Sequence, residues 1–485
     1  MNYRMVVFVL GRIFLVEAAM LLLPMACSAI YGEWYMLPAF LLPAVILLLL
    51  GLAASLRTPK NTTIYARDGL AIVALVWVLM SAFGALPFVI SGEIPAFADA
   101  FFEMVSGFTT TGSTILSDVE ALSRGALFWR SFSHWVGGMG VLVFAMAVLP
   151  MTDGRAMHLM RAEVPGPTCG KLSSKLSDSA KILYGIYFAM TALEVVFLCA
   201  GGMSLYESLI HSFGTAGTGG FSNRGLSIGA YQNPYFEWVI GIFMLLFGVN
   251  FNLYYFILMR HFREAFGSEE LRAYLGIVLF STVTIAANIL SMVGSVGEAV
   301  RTAFFQVSSI ITTTGYATAD FNLWPTYSRI LLLVLMFVGG CAGSTAGGLK
   351  MSRVIIFFKA ARQDLNKMLH THAVTTIRFE GKPLDEKTLQ GVHNYFNVYM
   401  LLIMLSTVLV SLDGFDLTTT FTAVITCINN VGPGMELVGP MGNFSQFSAP
   451  VKYLLSFNML AGRLELYPML AMFAPRLWRS RRTMR

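Results

Sequence analysis

The chain has 485 residues, of which 56% are apolar and 12% charged. Soluble domains carry about 25% charge, so a soluble globular protein is excluded. The net charge of +6 does not argue for nucleic acid, because the basic residues sit in alternate connections between apolar runs.

In chain order, candidate spans lie near 8–31, 37–56, 69–90, 127–149, 182–202, 236–258, 273–293, 328–349, 396–412 and 451–473, ten in all. The first is too long for a signal-peptide core and lacks a small-residue cleavage site, so it reads as retained. Shorter apolar pieces near 97–110, 205–217, 299–313 and 417–430 are too short to cross as helices and fit re-entrant segments. Irregular backbone at membrane depth is tolerated where protein or a wet cavity covers it. Cys27, Cys169, Cys199, Cys341 and Cys427 form neither a disulfide framework nor a metal-ligand spacing.

Charge orients the spans. Arg57, Lys60 and Arg67 fall on the side of the termini, with Arg155, Arg161, Lys171, Lys175, Lys181, Arg260, Arg263 and Arg272. So do the basic residues from Lys350 to Lys387 and the tail residues Arg476, Arg479, Arg481, Arg482 and Arg485. This positive-inside pattern predicts cytoplasmic termini and puts the four short segments on the outer side. Outer loops are mostly acidic, with Glu93, Asp99, Glu103, Asp118, Glu120, Glu207, Glu298, Asp320, Asp413, Asp416 and Glu436. These carboxylates either ring an entrance for cations or simply solvate the loops.

Each short segment ends in a related tetrapeptide: Thr110-Thr111-Gly112-Ser113, Thr218-Gly219-Gly220-Phe221, Thr313-Thr314-Gly315-Tyr316 and Asn430-Val431-Gly432-Pro433. One Thr-Gly is an ordinary helix stop; four in phase with the topology predict a repeat of span, short helix, filter strand, span. Glycine lets successive carbonyls turn toward one axis, and four such strands offer rings of oxygens that replace an ion's water shell. The carbonyl ends of the short helices add partial negative charge. The expected cation ligands are Thr111, Gly112, Gly220, Thr314, Gly315, Val431 and Gly432, with hydroxyls of Thr110, Thr111, Thr313 and Thr314 adding oxygens or bracing the loops. Unequal strands predict a less regular filter and weaker discrimination of potassium from sodium.

The span after each filter is broken, at His134–Gly140, Phe247–Asn252, Gly339–Gly348 and Asn458–Glu465. The third break is extreme, with Gly339, Gly340, Gly343, Gly347 and Gly348 around Ser344 and Thr345. Interior glycine costs a helix about 1 kcal/mol, so a kink or unwound loop is expected there, acting as a movable constriction. Arg463 in the last span is costly unless it faces protein or water. It either gates, by opposing cation flow, or clamps carbonyls of a neighbouring break. Glu465, two positions on, need not be its partner. Lys452 reaches toward the acidic fourth loop or snorkels, and His134 and His211 read as hydrogen-bonded rather than metal-bound.

The cytoplasmic stretch from Lys350 to Asn394 begins with a helix over 352–369 and continues from the glycine-rich break, so either a partner pulling there moves the break or the basic surface simply faces lipid. It carries no nucleotide-binding loop, so any nucleotide control must come from another chain. Two rival functions remain: a symporter coupled to protons or sodium, since such carriers use broken helices, and a membrane enzyme, for which no catalytic cluster stands out.

The four filter units, Gly339 to Gly348 and Asn458 to Glu465 with its arginine resemble the Trk/Ktr potassium-uptake superfamily, in its bacterial TrkH/TrkG branch. The resemblance implies an all-α integral membrane protein with four pseudo-repeated helix–pore-loop–helix units around one pore. Two extra transmembrane helices, within 1–68, precede units at 69–180, 181–270, 271–394 and 395–485. It implies potassium import across a bacterial inner membrane by a homodimer lying in lipid. It also implies cytosolic TrkA-like regulatory subunits that bind NAD or ATP, with no organic cofactor in this chain. Gly112, Gly220, Gly315 and Gly432 are then the filter glycines, and the Gly339–Gly348 loop with Arg463 the gate. The fourth unit departs from the Thr-x-Gly theme.

Overall fold

Several helices start where a serine, asparagine or aspartate side chain caps them, as Ser123, Ser204, Asn233, Ser268, Ser295 and Asp416 do. The computed structural model describes residues 1–61, 64–140, 176–370 and 376–478. Arg155, Arg161, Cys169, Lys171, Lys175 and the four basic residues after 478 lie outside them, as does the end of the span expected to reach 149. Cys27, Cys199, Cys341 and Cys427 are free thiols.

A leading pair, α1 (Tyr3–Met20) with α2 (Leu22–Ile30) and α3 (Leu37–Ser55), packs on α4 (Ala66–Ser91). The first unit runs from α4 through α5 (Phe97–Phe108) to α6 (Arg124–Gly138). The second comprises α7 (Leu176–Ala200), α8 (Leu205–Gly217), α9 (Pro234–Phe247) and α10 (Phe251–Leu258). The third comprises α11 (Glu269–Val293), α12 (Val296–Ile311) and α13 (Thr326–Val338). The polar stretch after the third unit forms α14 (Met351–Leu369) and a hairpin of β1 (Arg378–Phe379) and β2 (Lys382–Pro383). The fourth unit comprises α15 (Glu386–Val410), α16 (Leu417–Asn429), α17 (Ala449–Arg463) and α18 (Tyr467–Ala471).

Local chemistry fixes the short helices. Ser204, Ser295 and Asp416 cap α8, α12 and α16, each accepting from the backbone N–H three residues on. Packing is cyclic. The helix after each loop lies against the short helix of the next unit, α6 on α8, α9 on α12, α13 on α16, and α17 on α5 closes the circle.

Ten spans were expected, the four after the short segments being broken. Among the described residues, six helices are long and apolar enough to cross a membrane: 3–30, 34–55, 67–91, 181–200, 269–293 and 386–413. These are the leading pair and the first helix of each unit. The helices after the loops differ. α9 and α10 meet at 92° across residues 248–250, α13 stops after 13 residues at Gly339, and α17 stops after 15 residues at Arg463. Gly248 and Gly339 end their helices in runs that hydropathy alone joins together, while α17 ends at Arg463, before the left-handed Glu465 and Leu466. α15 starts at Glu386 rather than near 396, because its first turns are polar and invisible to hydropathy.

Candidate functional site

All four short helices end in one motif. Thr111, Gly219, Thr314 and Val431 donate their N–H to the carbonyl five residues back, Ser106, Gly214, Ser309 and Thr426, at 2.8–3.0 Å. The residues just before them, Thr110, Thr218, Thr313 and Asn430, take φ of 55–57°. This is the Schellman arrangement, whose left-handed position normally belongs to glycine. Three threonines and an asparagine hold it here. A β-branched residue at positive φ is a genuine outlier, and such strain, of order 1–3 kcal/mol per residue, gathers at functional sites.

Four glycines come next. Gly112, Gly220, Gly315 and Gly432 have φ of 82°, 75°, 84° and 100°. Each backs onto the next strand. A Cβ at Gly112 would strike the carbonyl oxygen of Gly219, one at Gly220 that of Thr314, and one at Gly315 that of Val431; at Gly432 it would stand 2.8 Å from that of Thr111. The contacts run 1 to 2 to 3 to 4 and back to 1, so the strands surround a common axis. Residues Thr111, Gly219, Thr314 and Val431 are buried, yet no donor among the described residues reaches their carbonyl oxygens. Beside them a cavity of about 120 Å³ is lined by Gly112, Gly220, Gly315 and Gly432 together with Ser113 and Phe221.

Side chains brace this ring. The hydroxyls of Thr109 and Thr111 lie 2.8 Å apart, as do those of Thr312 and Thr314. The Asn430 amide donates to Thr111 Oγ1 at 2.9 Å and to Met459 O at 2.9 Å, linking unit four to unit one. Ser113 Oγ donates to Gly432 O at 3.0 Å, while Thr218 Oγ1 donates to its neighbour Gly217 O at 2.6 Å. Tyr316 does not line the cavity: its ring is buried and its hydroxyl donates to His211 O at 3.0 Å. Pro433 packs on Gly315. Phe221 stacks on His134, with centroids 4.3 Å apart, and lies under the Arg130 guanidinium at 4.0 Å. His134 Nδ1 meets Gly107 O at 2.7 Å and Nε2 faces the Phe221 N–H at 3.3 Å. A carbonyl requires a donor at Nδ1, so His134 is the Nδ1–H tautomer with Nε2 accepting. His211 lies 2.8 Å from Glu207 O and 3.1 Å from Ser222 Oγ.

The glycine-rich break is an unwound loop. Gly339, Gly343 and Gly348 all have positive φ, at 69°, 73° and 77°. Cys341 N donates to Gly248 O and Phe251 N to Gly343 O, at 2.9 and 3.0 Å, which joins this break to that of unit two. Met351 N returns to Gly340 O at 2.9 Å. Gly347 N donates to Thr313 Oγ1 at 2.6 Å, and Gly348 N to Asn429 O at 3.0 Å. Ser344 Oγ turns back to Cys341 O, and Thr345 Oγ1 reaches Phe247 O at 3.2 Å. The loop is therefore seated on the carbonyl ends of α12 and α16. Arg463 donates to Thr345 O at 2.7 Å, to Gly137 O at 2.6 Å and to Gly138 O at 2.5 Å. It takes the clamping geometry, tying the third break to the first. Glu465 pairs with Arg353, which also stacks on Tyr395 at 4.0 Å.

Two charged residues depart from their sequence-based places. Glu103, counted among the outer acids, is fully buried. It pairs with Arg130 at 2.7 Å and accepts from Ile115 N and Thr114 Oγ1, both at 2.9 Å, so it anchors the strand after Gly112 and cannot ring an entrance. Lys452 meets Asp99 at 2.6 Å, joining α17 to α5 instead of reaching the fourth loop. Residues that sequence reasoning passed over are Arg130, Thr109, Thr312 and Gly219 as a carbonyl donor to the ring. The shared position of Gly219 with Thr111, Thr314 and Val431 was the available signal.

Fold and site together define a polytopic membrane protein in which four re-entrant loops of one chain converge on an axis ringed by main-chain oxygens. The comparisons specify the family. A profile described as "TrkH: Cation transport protein" matches residues 37–480. The Escherichia coli K12 protein named "Trk system potassium uptake protein TrkH" is 37% identical over 422 residues, 86% of each chain. TrkG of the same organism, also named a potassium uptake protein, is 34% identical over 485 residues, 99% of each chain. The crystal structure of "the Potassium Transporter TrkH from Vibrio parahaemolyticus" superposes with a TM-score of 0.88 at 30% identity, covering 99% of this chain and 100% of that one. The chain belongs to the TrkH family of cation transport proteins, in the TrkH/TrkG branch of the Trk/Ktr superfamily.

Proposed function

We propose that this chain takes up potassium across the bacterial inner membrane. The filter comprises residues 110–113, 218–221, 313–316 and 430–433, and the gate comprises the loop 339–348 with Arg463. The carrying observation is the closed ring of buried carbonyls of Thr111, Gly219, Thr314 and Val431 without protein donors. A buried carbonyl left unsatisfied costs on the order of 1–3 kcal/mol, and a dehydrated alkali cation on the axis satisfies several at once. The names of the relatives support potassium as that cation. Units at 69–180, 181–270, 271–394 and 395–485 each give one quarter of the filter, and residues 1–68 give the extra pair. The termini are cytoplasmic, by the distribution of lysine and arginine. The working assembly is a homodimer in lipid, regulated by cytosolic TrkA-like subunits that carry NAD or ATP.

Rubidium-tracer uptake into vesicles holding the purified full chain tests this reading. Uptake driven by an inward potassium or rubidium gradient is expected, and Gly315→Ala is expected to abolish it. In planar bilayers discrete steps carrying many ions distinguish a pore from a carrier. A fixed ratio of protons or sodium to each potassium ion would replace the pore by symport. Equal uptake by parent, Gly220→Ala and Gly315→Ala would remove the filter.

A further inference from the structure

The cytoplasmic hairpin reaches the loop 339–350 through two glutamates in series. The hairpin turn is Glu380-Gly381, with φ of 50° and 73°, as a two-residue turn with both centres left-handed requires. Such turns take Asn, Asp or Gly by preference, so glutamate at the first position bears strain. Its carboxylate explains its presence. Glu380 Oε1 accepts from Ser268 Oγ at 2.8 Å and from Glu270 N at 3.0 Å, satisfying the first turn of α11. Phe379 anchors the hairpin between α14 and α15, against Ile356 and Val392. Lys359 of α14 binds Glu269 at 2.5 Å and Arg378 O at 2.7 Å.

The second glutamate begins where the first ends. Glu270 is buried. A single oxygen, Oε1, accepts from Ala342 N at 2.8 Å and from Ser352 N at 2.9 Å. One donor lies inside the loop, just after Cys341, and the other in the first turn of α14. The carboxylate therefore ties the loop to the start of α14, and its own backbone N–H is held by the hairpin.

We infer that Glu270 and Glu380 are positioning residues that transmit the placement of the cytoplasmic hairpin to the loop. This rests on the reading of that loop as the gate. With the hairpin seated, Glu380 holds the first turn of α11 and Glu270 holds the loop to the start of α14. When the hairpin is drawn away, the first turn loses its acceptor, Glu270 shifts, and Ala342 and Ser352 separate. The loop then leaves Thr313 and Asn429. A partner that grips the hairpin thus acts on the pore without entering it.

The experiment measures rubidium-tracer uptake by the full chain in vesicles without any other protein. Arg463→Ala serves as the variant that frees the loop by another route. Glu380→Ala and Glu270→Ala are expected to raise uptake about tenfold. Glu380→Gln, which keeps an accepting oxygen, is expected to stay near the parent. The double variant is expected to match Glu270→Ala alone, because residues in one chain of contacts are not additive. Yield and dimer content by size-exclusion chromatography identify misfolding, and the rescue by glutamine is a readout that loss of fold would not give. Uptake by Glu380→Ala at or below the parent, while Arg463→Ala raises it, overturns the relay. Additive effects of the two alanines overturn it as well. No uptake by any chain, Arg463→Ala included, removes the transport reading and the relay with it.

Discussion

The hydroxyl of Thr313 accepts the backbone N–H of Gly347 at 2.6 Å, so the residue that turns the third strand of the ring also holds the loop that ends α13. Strand and loop therefore share a hydrogen bond, and movement of one is felt by the other. Thr313→Val keeps the shape and removes the acceptor. Leaving that buried N–H unpaired costs about 1–3 kcal/mol, so unstimulated rubidium uptake is expected to rise roughly tenfold or more, while Thr313→Ser remains near the parent. An unchanged rate in the valine variant would show that Gly347 has another acceptor in the docked loop.

Arg463 holds three carbonyls from two different breaks. Its planar fork reaches them together, which the single ammonium of lysine cannot do. Arg463→Ala and Arg463→Lys are both expected to increase uptake, alanine the more. Single-channel recording would register this as a longer open time at constant conductance. A fall in conductance with unchanged open time would assign the arginine to the ion path instead.

The ring predicts a graded glycine series. Overpacking costs about 1–3 kcal/mol, and positive φ adds about 1–2 kcal/mol for a side chain. Alanine at Gly112, Gly220 or Gly315 would bring Cβ within 2.0–2.2 Å of a neighbouring carbonyl oxygen, a harder collision than the 2.8 Å from Thr111 O at Gly432. Reversal potentials in mixed sodium and potassium should therefore shift least, and flux persist most, in Gly432→Ala. The opposite order would contradict the packing.

Glu103 and Arg130 form a buried pair behind the first strand. Breaking such a pair by removing one partner costs about 3–5 kcal/mol. Glu103→Gln is expected to lower the thermal midpoint in detergent by several degrees and to loosen selectivity, because Ile115 and Thr114 lose a charged acceptor. Asp118→Asn, at an exposed loop position, is the control expected to do neither.

Acid should act on the fourth short helix through its cap. Asp416 accepts from Thr419 N at 2.9 Å, and hydrogen bonding to Thr419 holds its carboxyl below the ordinary aspartate value. A carboxyl lowered by folding stabilises above its unfolded pKa, and that contribution is lost as pH falls through the folded one. Asp416→Ala is expected to cost about 1 kcal/mol at neutral pH and to flatten the acid limb of a thermal-stability profile. A parallel acid limb in the variant would assign that limb to other groups.

How much of this was legible in sequence followed the range of the interaction. The short helices were legible because their apolar runs are short and end in a Thr-Gly or Val-Gly step. The break at 339–348 was legible because its glycines outweigh any helical preference. The left-handed caps were not, since threonine at 110, 218 and 313 gives no local sign of positive φ; the bonds five residues back impose it. Glu103 looked like any loop acid because Arg130 lies 27 positions away. The Lys452–Asp99 contact spans 353 positions, beyond any local pattern. Glu270 looked like a cytoplasmic helix start, and nothing near it in sequence announced the two amides it binds.

The cyclic contact of each glycine with the next strand has a consequence for how such a ring changes. In an assembly of four identical chains, one codon alters every corner together. Here each corner has its own codon, so a substitution at Val431 or Asn430 retunes one quarter while three others keep the geometry. Ion preference can drift by small increments, through intermediates that still conduct.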